Sequence, residues 1–185
     1  MTIEQFRPGH STRGNILYSK LKPHLKDDMI ILDIGCAYAC LYPLINSDFP
    51  NTDYFGFDNH GGIITELWKK YPEQIWNRID IKDGSEIKDV VSPMPALDVA
   101  IHIGVDAEWS AIWKVHPWLI ENHPPELVLL EAGRRDGYEG CVMTYMKISA
   151  LYIEAGYKLA DSGQFDFDWD GECLKDRHYS ILTRP

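Results

Sequence analysis

Short apolar runs alternate along the chain with longer segments of helical spacing. Met29-Ile30-Ile31-Leu32-Asp33-Ile34 is an apolar run with an acid near its end, followed by Gly35, and Tyr54-Phe55-Gly56-Phe57-Asp58 repeats that plan. Residues 97–103 and 127–130 are near-continuous apolar runs, the pattern of parallel strands buried on both faces. Residues 157–167 and 178–183 flank an acidic turn and are predicted to form a terminal antiparallel pair. Residues 75–81, interrupted by Asn77 and Arg78, form a seventh strand candidate. Between the runs, residues 15–26 put Ile16, Leu17, Leu21 and Leu25 at helical positions, with Pro23 weakening the second half. Ile63, Ile64, Leu67, Trp68 and Tyr71 follow Gly61-Gly62 with the same period. Residues 107–115 and 142–155 complete the helices, and Gly156 stands where a left-handed C-cap belongs. Strands alternating with helices predict one α/β domain: a doubly wound, mostly parallel seven-stranded sheet with an antiparallel last strand. Residues 29–185 would form that domain, and residues 1–28 a helical segment able to act as a lid.

Length and composition narrow the function classes. A chain of 185 residues with 45% apolar and 25% charged residues can bury a core without disulfides. Its 28 acids against 18 Lys and Arg give a net charge of −10, which repels phosphate backbones and anionic lipid. The expectation is therefore a small-molecule substrate, with no general nucleic-acid binding and no membrane contact. No run reaches the roughly 20 apolar residues that a membrane span needs. The first seven residues lack the apolar core of a secretory signal, and the four cysteines fit reduced thiols, so a cytoplasmic location is expected. Cys36 and Cys40 have no second close pair, which argues against zinc. Asp166-Phe167-Asp168-Trp169-Asp170-Gly171 starts like a calcium loop, but its twelfth position is Arg177 rather than Glu, so the segment reads as a hairpin tip and no metal is expected.

The stretch Asp33-Ile34-Gly35-Cys36-Ala37-Tyr38-Ala39-Cys40 carries the chemistry. A buried strand delivers a carboxylate at its carboxyl end, and a turn of small residues then lets a ligand approach the backbone. This stretch resembles the first motif of class I S-adenosylmethionine-dependent methyltransferases, an acid followed by Gly-x-Gly-x-Gly, with Ala37 and Ala39 standing in place of the second and third glycines. The resemblance continues in order over nearly the whole chain: Asp58 at the end of the second strand, Asp80-Ile81 after the third, the run 97–105, the run 125–131, and Ala155-Gly156-Tyr157 before the last hairpin. It implies S-adenosylmethionine as cofactor, with Asp33, Gly35, Cys36, Ala37, Tyr38, Asp58, Asn59, Asp80, Ile81 and Ile103 around it, Asp58 receiving the ribose hydroxyls and Asp80-Ile81 the adenine. A dinucleotide frame would need glycines at 35, 37 and 40, and the chain has Gly35, Ala37 and Cys40.

Methyl transfer needs alignment, exclusion of water and, for a hydroxyl acceptor, removal of a proton. His102 is the candidate base, because it lies near the active end of the fourth strand. Asp106 and Glu108 in the next loop, and Glu131 and Arg134 after the fifth strand, are candidate contacts for a polar substrate. Asp98 is expected to order the start of its strand. The activity expected from the resemblance is methyl transfer to an oxygen or nitrogen of a small polar molecule. Two alternatives stand beside it: a non-catalytic binding or regulatory protein on the same fold, and a nicotinamide-dependent oxidoreductase. A homo-oligomer is left open.

Overall fold

The computed structural model describes residues 8–80, 85–94, 96–104, 109–133, 140–169 and 172–185. Its strands are β1 (Ile30–Ile34), β2 (Asp53–Asp58), β3 (Ile75–Arg78), β4 (Val99–Ile103), β5 (Leu127–Gly133), β6 (Lys158–Trp169) and β7 (Glu172–Thr183). Its helices are α1 (Pro8–Leu21), α2 (Tyr42–Asp48), α3 (Gly61–Lys70), α4 (Ser85–Val91), α5 (Trp109–Asn122) and α6 (Gly140–Glu154). The strands form one sheet in the order β3-β2-β1-β4-β5-β7-β6. β3, β2, β1, β4 and β5 pair in parallel, and β7 runs antiparallel between β5 and β6. The strand order reverses between β2 and β4 on either side of β1, and a crevice at such a switch point is where open α/β sheets take ligands.

Alternation along the strands divides the core into two layers. Ile31, Tyr54, Trp76, Val99, Ile101, Leu127 and Leu129 pack with Leu17 and Leu21 of α1, Tyr42 and Ile45 of α2, and Ile64 and Leu67 of α3. On the opposite face Leu32, Ile34, Phe57 and Ala100 meet Val91, Val115 and Leu119, while Val128, Leu130 and Leu182 meet Tyr145, Ile148 and Tyr152 of α6. Gly56 of β2 is required by close packing: a Cβ there would stand 2.4 Å from the buried Trp76 ring.

The structure redraws several predicted boundaries. α1 spans Pro8–Leu21 rather than 15–26, because Pro23 diverts the chain into a 3-10 turn over Lys22–His24. Leu17 and Leu21 are fully buried, so this part of α1 belongs to the core layer. α5 continues through Pro117 to Asn122, where Leu119 remains inside the second layer. Gly156 does adopt a left-handed backbone, with φ of 96°, after α6. Asp98 orders its strand as expected, its Oδ2 accepting the Ile30 N–H at 2.7 Å. Among the described residues no helix is long and apolar enough to cross a membrane.

Candidate functional site

The turn after β1 is left-handed at alternate residues: Gly35 has φ of 70°, Ala37 of 44° and Ala39 of 50°. Alanine prefers negative φ, yet both alanines are held in the left-handed region. The surrounding bonds explain why. Cys36 N–H donates to Phe57 O at 2.9 Å, Ala39 N–H to Cys36 O at 2.7 Å, and Ala37 N–H to Asp58 Oδ2 at 2.9 Å. Three bonds therefore impose the conformation that glycine adopts without strain. α1 closes against the outside of the turn, where a Cβ on Gly14 would stand 3.0 Å from Cys40 O.

Asp58 is half-buried at the tip of β2. Its Oδ2 accepts the Ala37 N–H and its Oδ1 accepts the His60 N–H at 2.8 Å, so it ties the two leading strand tips together. A carboxylate oxygen has two lone pairs, so both oxygens keep acceptor capacity for a further donor. Asn59 is exposed, and its carbonyl accepts from Arg78 Nε at 3.3 Å. His60 caps α3, its Nδ1 accepting the Ile63 N–H at 3.3 Å. Asp80 is exposed past β3, and its N–H donates to Glu86 Oε2 at 2.9 Å. Tyr38 is half-buried in the turn.

Asp33 faces the α1 layer and is only 3% exposed. Tyr54 donates its hydroxyl proton to Asp33 Oδ2 at 2.5 Å, while Asp33 Oδ1 is buried with no hydrogen-bond partner. Burial pushes the carboxyl up to about 7, against the lowering effect of the Tyr54 hydroxyl; Asp58 raises it further and Arg13 lowers it. Burial, with Asp33 and Asp58 nearby, also pushes the Cys36 thiol well up, and burial takes Cys40 up to about 12, so both stay as thiols.

The tips of β4 and β5 are built differently. Glu131 is fully buried. Its Oε1 accepts from Arg177 Nε at 2.5 Å, and its Oε2 accepts from Arg177 Nη2 at 2.8 Å, from Gly104 N–H at 3.0 Å and from Arg13 Nη2. Burial alone would raise this carboxyl, but the Arg13 and Arg177 guanidiniums overcome it and hold the group below its ordinary value. Glu131 thus ties α1 and β7 to β5; fully buried and bonded to two arginines and a backbone amide, it serves the frame rather than the substrate contact that its position at a strand end suggests.

His102 also departs from expectation. It shares the face of Ala100, so it points into the α5–α6 layer and away from the face carrying Asp33 and Glu131. Its Nδ1 lies 3.0 Å from His116 Nε2, and His116 Nδ1 lies 3.0 Å from the Tyr152 hydroxyl. Burial pulls His102 down to about 4 and His116 well below its ordinary value, so both rings are neutral at physiological pH. A His–His–Tyr chain buried between β4, α5 and α6 is a structural bridge, and the base assignment to His102 is withdrawn. Ile103, half-buried, packs against the α1 layer beside Glu131 in register. Ile81, Asp106, Glu108 and Arg134 lie outside the described residues.

Sequence reasoning missed Arg13, Tyr54, His116 and Arg177. One signal was available for the arginines: a Glu closing the run Leu127-Val128-Leu129-Leu130 must find a cationic partner if it is buried. A groove of about 710 Å³ between α3 and the edge strand β3, lined by Thr65, Trp68, Trp76 and Arg78 among others, contains none of the predicted site residues. No group of three or more metal-ligating side chains occurs among the described residues.

By sequence, no family model and no curated protein matches the chain. Solved structures match its shape. A precorrin-6y C5,15-methyltransferase from Geobacter metallireducens superposes with a TM-score of 0.64 at 18% identity, over 93% of this chain and 87% of that one. The fold is that of the class I methyltransferases. Magnesium protoporphyrin IX methyltransferase from Synechocystis, with bound S-adenosylmethionine, gives 0.65 at 13% identity over 96% of this chain and 80% of that one. TrmK from M. capricolum, in complex with S-adenosylhomocysteine, gives 0.61 at 11% identity over 93% and 67%. TrmK is a tRNA methyltransferase, so this fold serves nucleic-acid substrates too, and the exclusion of nucleic acid drawn from net charge is corrected. Net charge describes the whole molecule, whereas recognition of a phosphate backbone depends on local patches.

Proposed function

We propose that the chain is an S-adenosylmethionine-dependent methyltransferase acting on an oxygen or nitrogen nucleophile of a small polar molecule. One observation carries the reading: at the switch point of a class I sheet, the turn Gly35–Ala39 keeps its left-handed backbone although two of its residues are alanines, and two strand-end acids flank it. A turn that only joined β1 to α2 would have no reason to hold strained alanines there. The residues suit the cofactor. Asp58 has acceptor capacity for two ribose hydroxyls, and Asp33 has a buried carboxyl oxygen without a hydrogen-bond partner.

The bound cofactor would supply an activated methyl group and its own leaving group. The chain's task is then to hold and orient. The turn backbone at Gly35, Cys36, Ala37 and Tyr38 would admit the cofactor closely, Asp58 and Asn59 would hold the sugar, Asp80 with Ile81 next to it in sequence would serve the base, and Ile103 the reacting end. Asp106, Glu108 and Arg134, which follow β4 and β5 in the sequence, are the proposed acceptor contacts. With His102 turned into the other layer, a base would come from Asp106 or Glu108, or the acceptor would be a neutral amine that loses its proton to water.

Calorimetric titration with S-adenosylmethionine tests the reading. Saturable binding at micromolar cofactor is the expected result. No detectable heat at millimolar cofactor would leave the non-catalytic member of the fold as the better account, and a retained dinucleotide would favour the oxidoreductase.

A further inference from the structure

Asp33 combines features that ordinary turn architecture does not require. It is buried, its Oδ2 accepts a hydrogen bond from the Tyr54 hydroxyl, and its Oδ1 is buried with no hydrogen-bond partner. Ionised with one oxygen unpartnered, this carboxyl would be costly to bury, so without a ligand the protonated form is favoured. The charged and titratable groups around it are few. From α1 comes Arg13, whose guanidinium is engaged by Glu131. From β2 come the Tyr54 hydroxyl and, at its tip, the second carboxylate, Asp58. From the turn come Cys36 and Cys40, both held as neutral thiols. Ionised, Asp33 together with Asp58 would make the tips of β1 and β2 anionic, and the partner Asp33 would then need is a donor or a cation.

Resting on the reading that S-adenosylmethionine binds this turn, we propose that Asp33 is a neutral acid in the free protein and becomes a carboxylate when the cationic cofactor arrives, so that binding expels one proton and favours the sulfonium over its thioether product. The step balances: the Asp33 O–H bond breaks, the proton leaves to solvent, and the carboxylate faces the cofactor's positive charge. The thioether product carries the same amino and carboxylate groups but lacks the sulfonium charge, so it gains less from the ionised acid. The pH at which burial balances the Tyr54 bond lies near neutrality, so the exchange falls in an accessible range. The direction follows from linkage: affinity for the sulfonium rises as pH climbs through the titration of the free protein, then levels off.

The test is calorimetry of S-adenosylmethionine and S-adenosylhomocysteine from pH 5.5 to 7.5 in two buffers of different ionisation heat. The expected result is release of up to one proton with the sulfonium, fewer with the thioether, and an affinity ratio rising about tenfold across the range. Asp33→Asn keeps an oxygen for the Tyr54 hydroxyl, and should abolish the release and flatten the ratio. Tyr54→Phe removes the bond that favours the carboxylate, and should move the midpoint to higher pH. Tight sulfonium binding with no proton release and a flat ratio overturns the inference and leaves the cofactor reading intact. Failure of either ligand to bind at any pH overturns both.

Discussion

The two halves of the cleft satisfy their buried polar groups in opposite ways. At the tips of β4 and β5, Glu131 is surrounded: two arginines and a backbone amide take up its oxygens. At the tips of β1 and β2, Asp33 has one oxygen without a donor, and the alanines of the turn stay in a strained backbone. A densely bonded charged cluster rigidifies, because breaking it exposes uncompensated charge. An incomplete one invites a ligand. The contrast sets β5 in the frame and is what the proposed cofactor site at β1–β2 rests on.

Substituting Glu131 gives the largest expected effect. Glu131→Ala strands two guanidiniums in the interior, and we expect a loss of about 3–5 kcal/mol in urea unfolding. Because the folded carboxyl sits below its unfolded value, its contribution is complete above the ordinary glutamate range and is lost as pH falls through the folded value. A loss below 1 kcal/mol would mean that the arginines find other partners and that the frame does not depend on this residue.

Asp58→Ala acts on the other half. Removing the proposed ribose acceptor should weaken cofactor binding by about 2–4 kcal/mol, read by calorimetry. The same change frees Ala37 N–H, so the turn should also show faster amide exchange. Unchanged affinity would remove Asp58 from the binding site and leave it a tie between strand tips.

His102 separates the halves by pH. Its folded value near 4 lies below that of an unfolded imidazole, so the unfolded chain takes up the proton first and stability falls as pH drops from about 6.5. Between pH 7 and 5 this one ring should account for about 2 kcal/mol of lost stability. His102→Asn, which keeps a group able to bond His116, should reduce that loss by a similar amount and leave cofactor affinity unchanged. An unaltered acid slope would show that His102 titrates like an exposed ring.

The architecture was legible because its signals are local. Apolar runs ending in Asp33 and Asp58, the run 127–130 and the glycine after α6 each announce their role within a few residues. α2 and α4 were not legible: at seven residues each they are too short to show a helical period. Pro117 concealed the second half of α5, where packing of Leu119 outweighs proline's local cost. The candidate site was half legible for a related reason. Asp33 and Asp58 could be placed from strand ends, but the fate of Glu131 depends on Arg13, 118 residues away in sequence. Alternation correctly placed His102 on the face of Ala100, yet it could not say that helices cover that face there, or that His116 waits in one of them.

The smallest expected effect tests why the alanines of the turn are tolerated. Ala37 and Ala39 both have positive φ, where a Cβ costs roughly 1–2 kcal/mol relative to glycine. Glycine also loses more backbone freedom on folding, about 0.5–1 kcal/mol, so the net gain from substitution is small. The two positions should nevertheless differ. Ala37 is half-buried, and Ala37→Gly should stabilise the chain by about 0.5 kcal/mol. Ala39 is fully buried in the α1 layer, and removing its methyl forfeits about 0.8 kcal/mol of burial, so Ala39→Gly should be neutral or slightly destabilising. Urea midpoints of the two variants, compared with each other, read the difference. If both substitutions destabilise by more than 1 kcal/mol, the strain at the turn is not real, and its left-handed backbone cannot be set against the relaxed frame at β5.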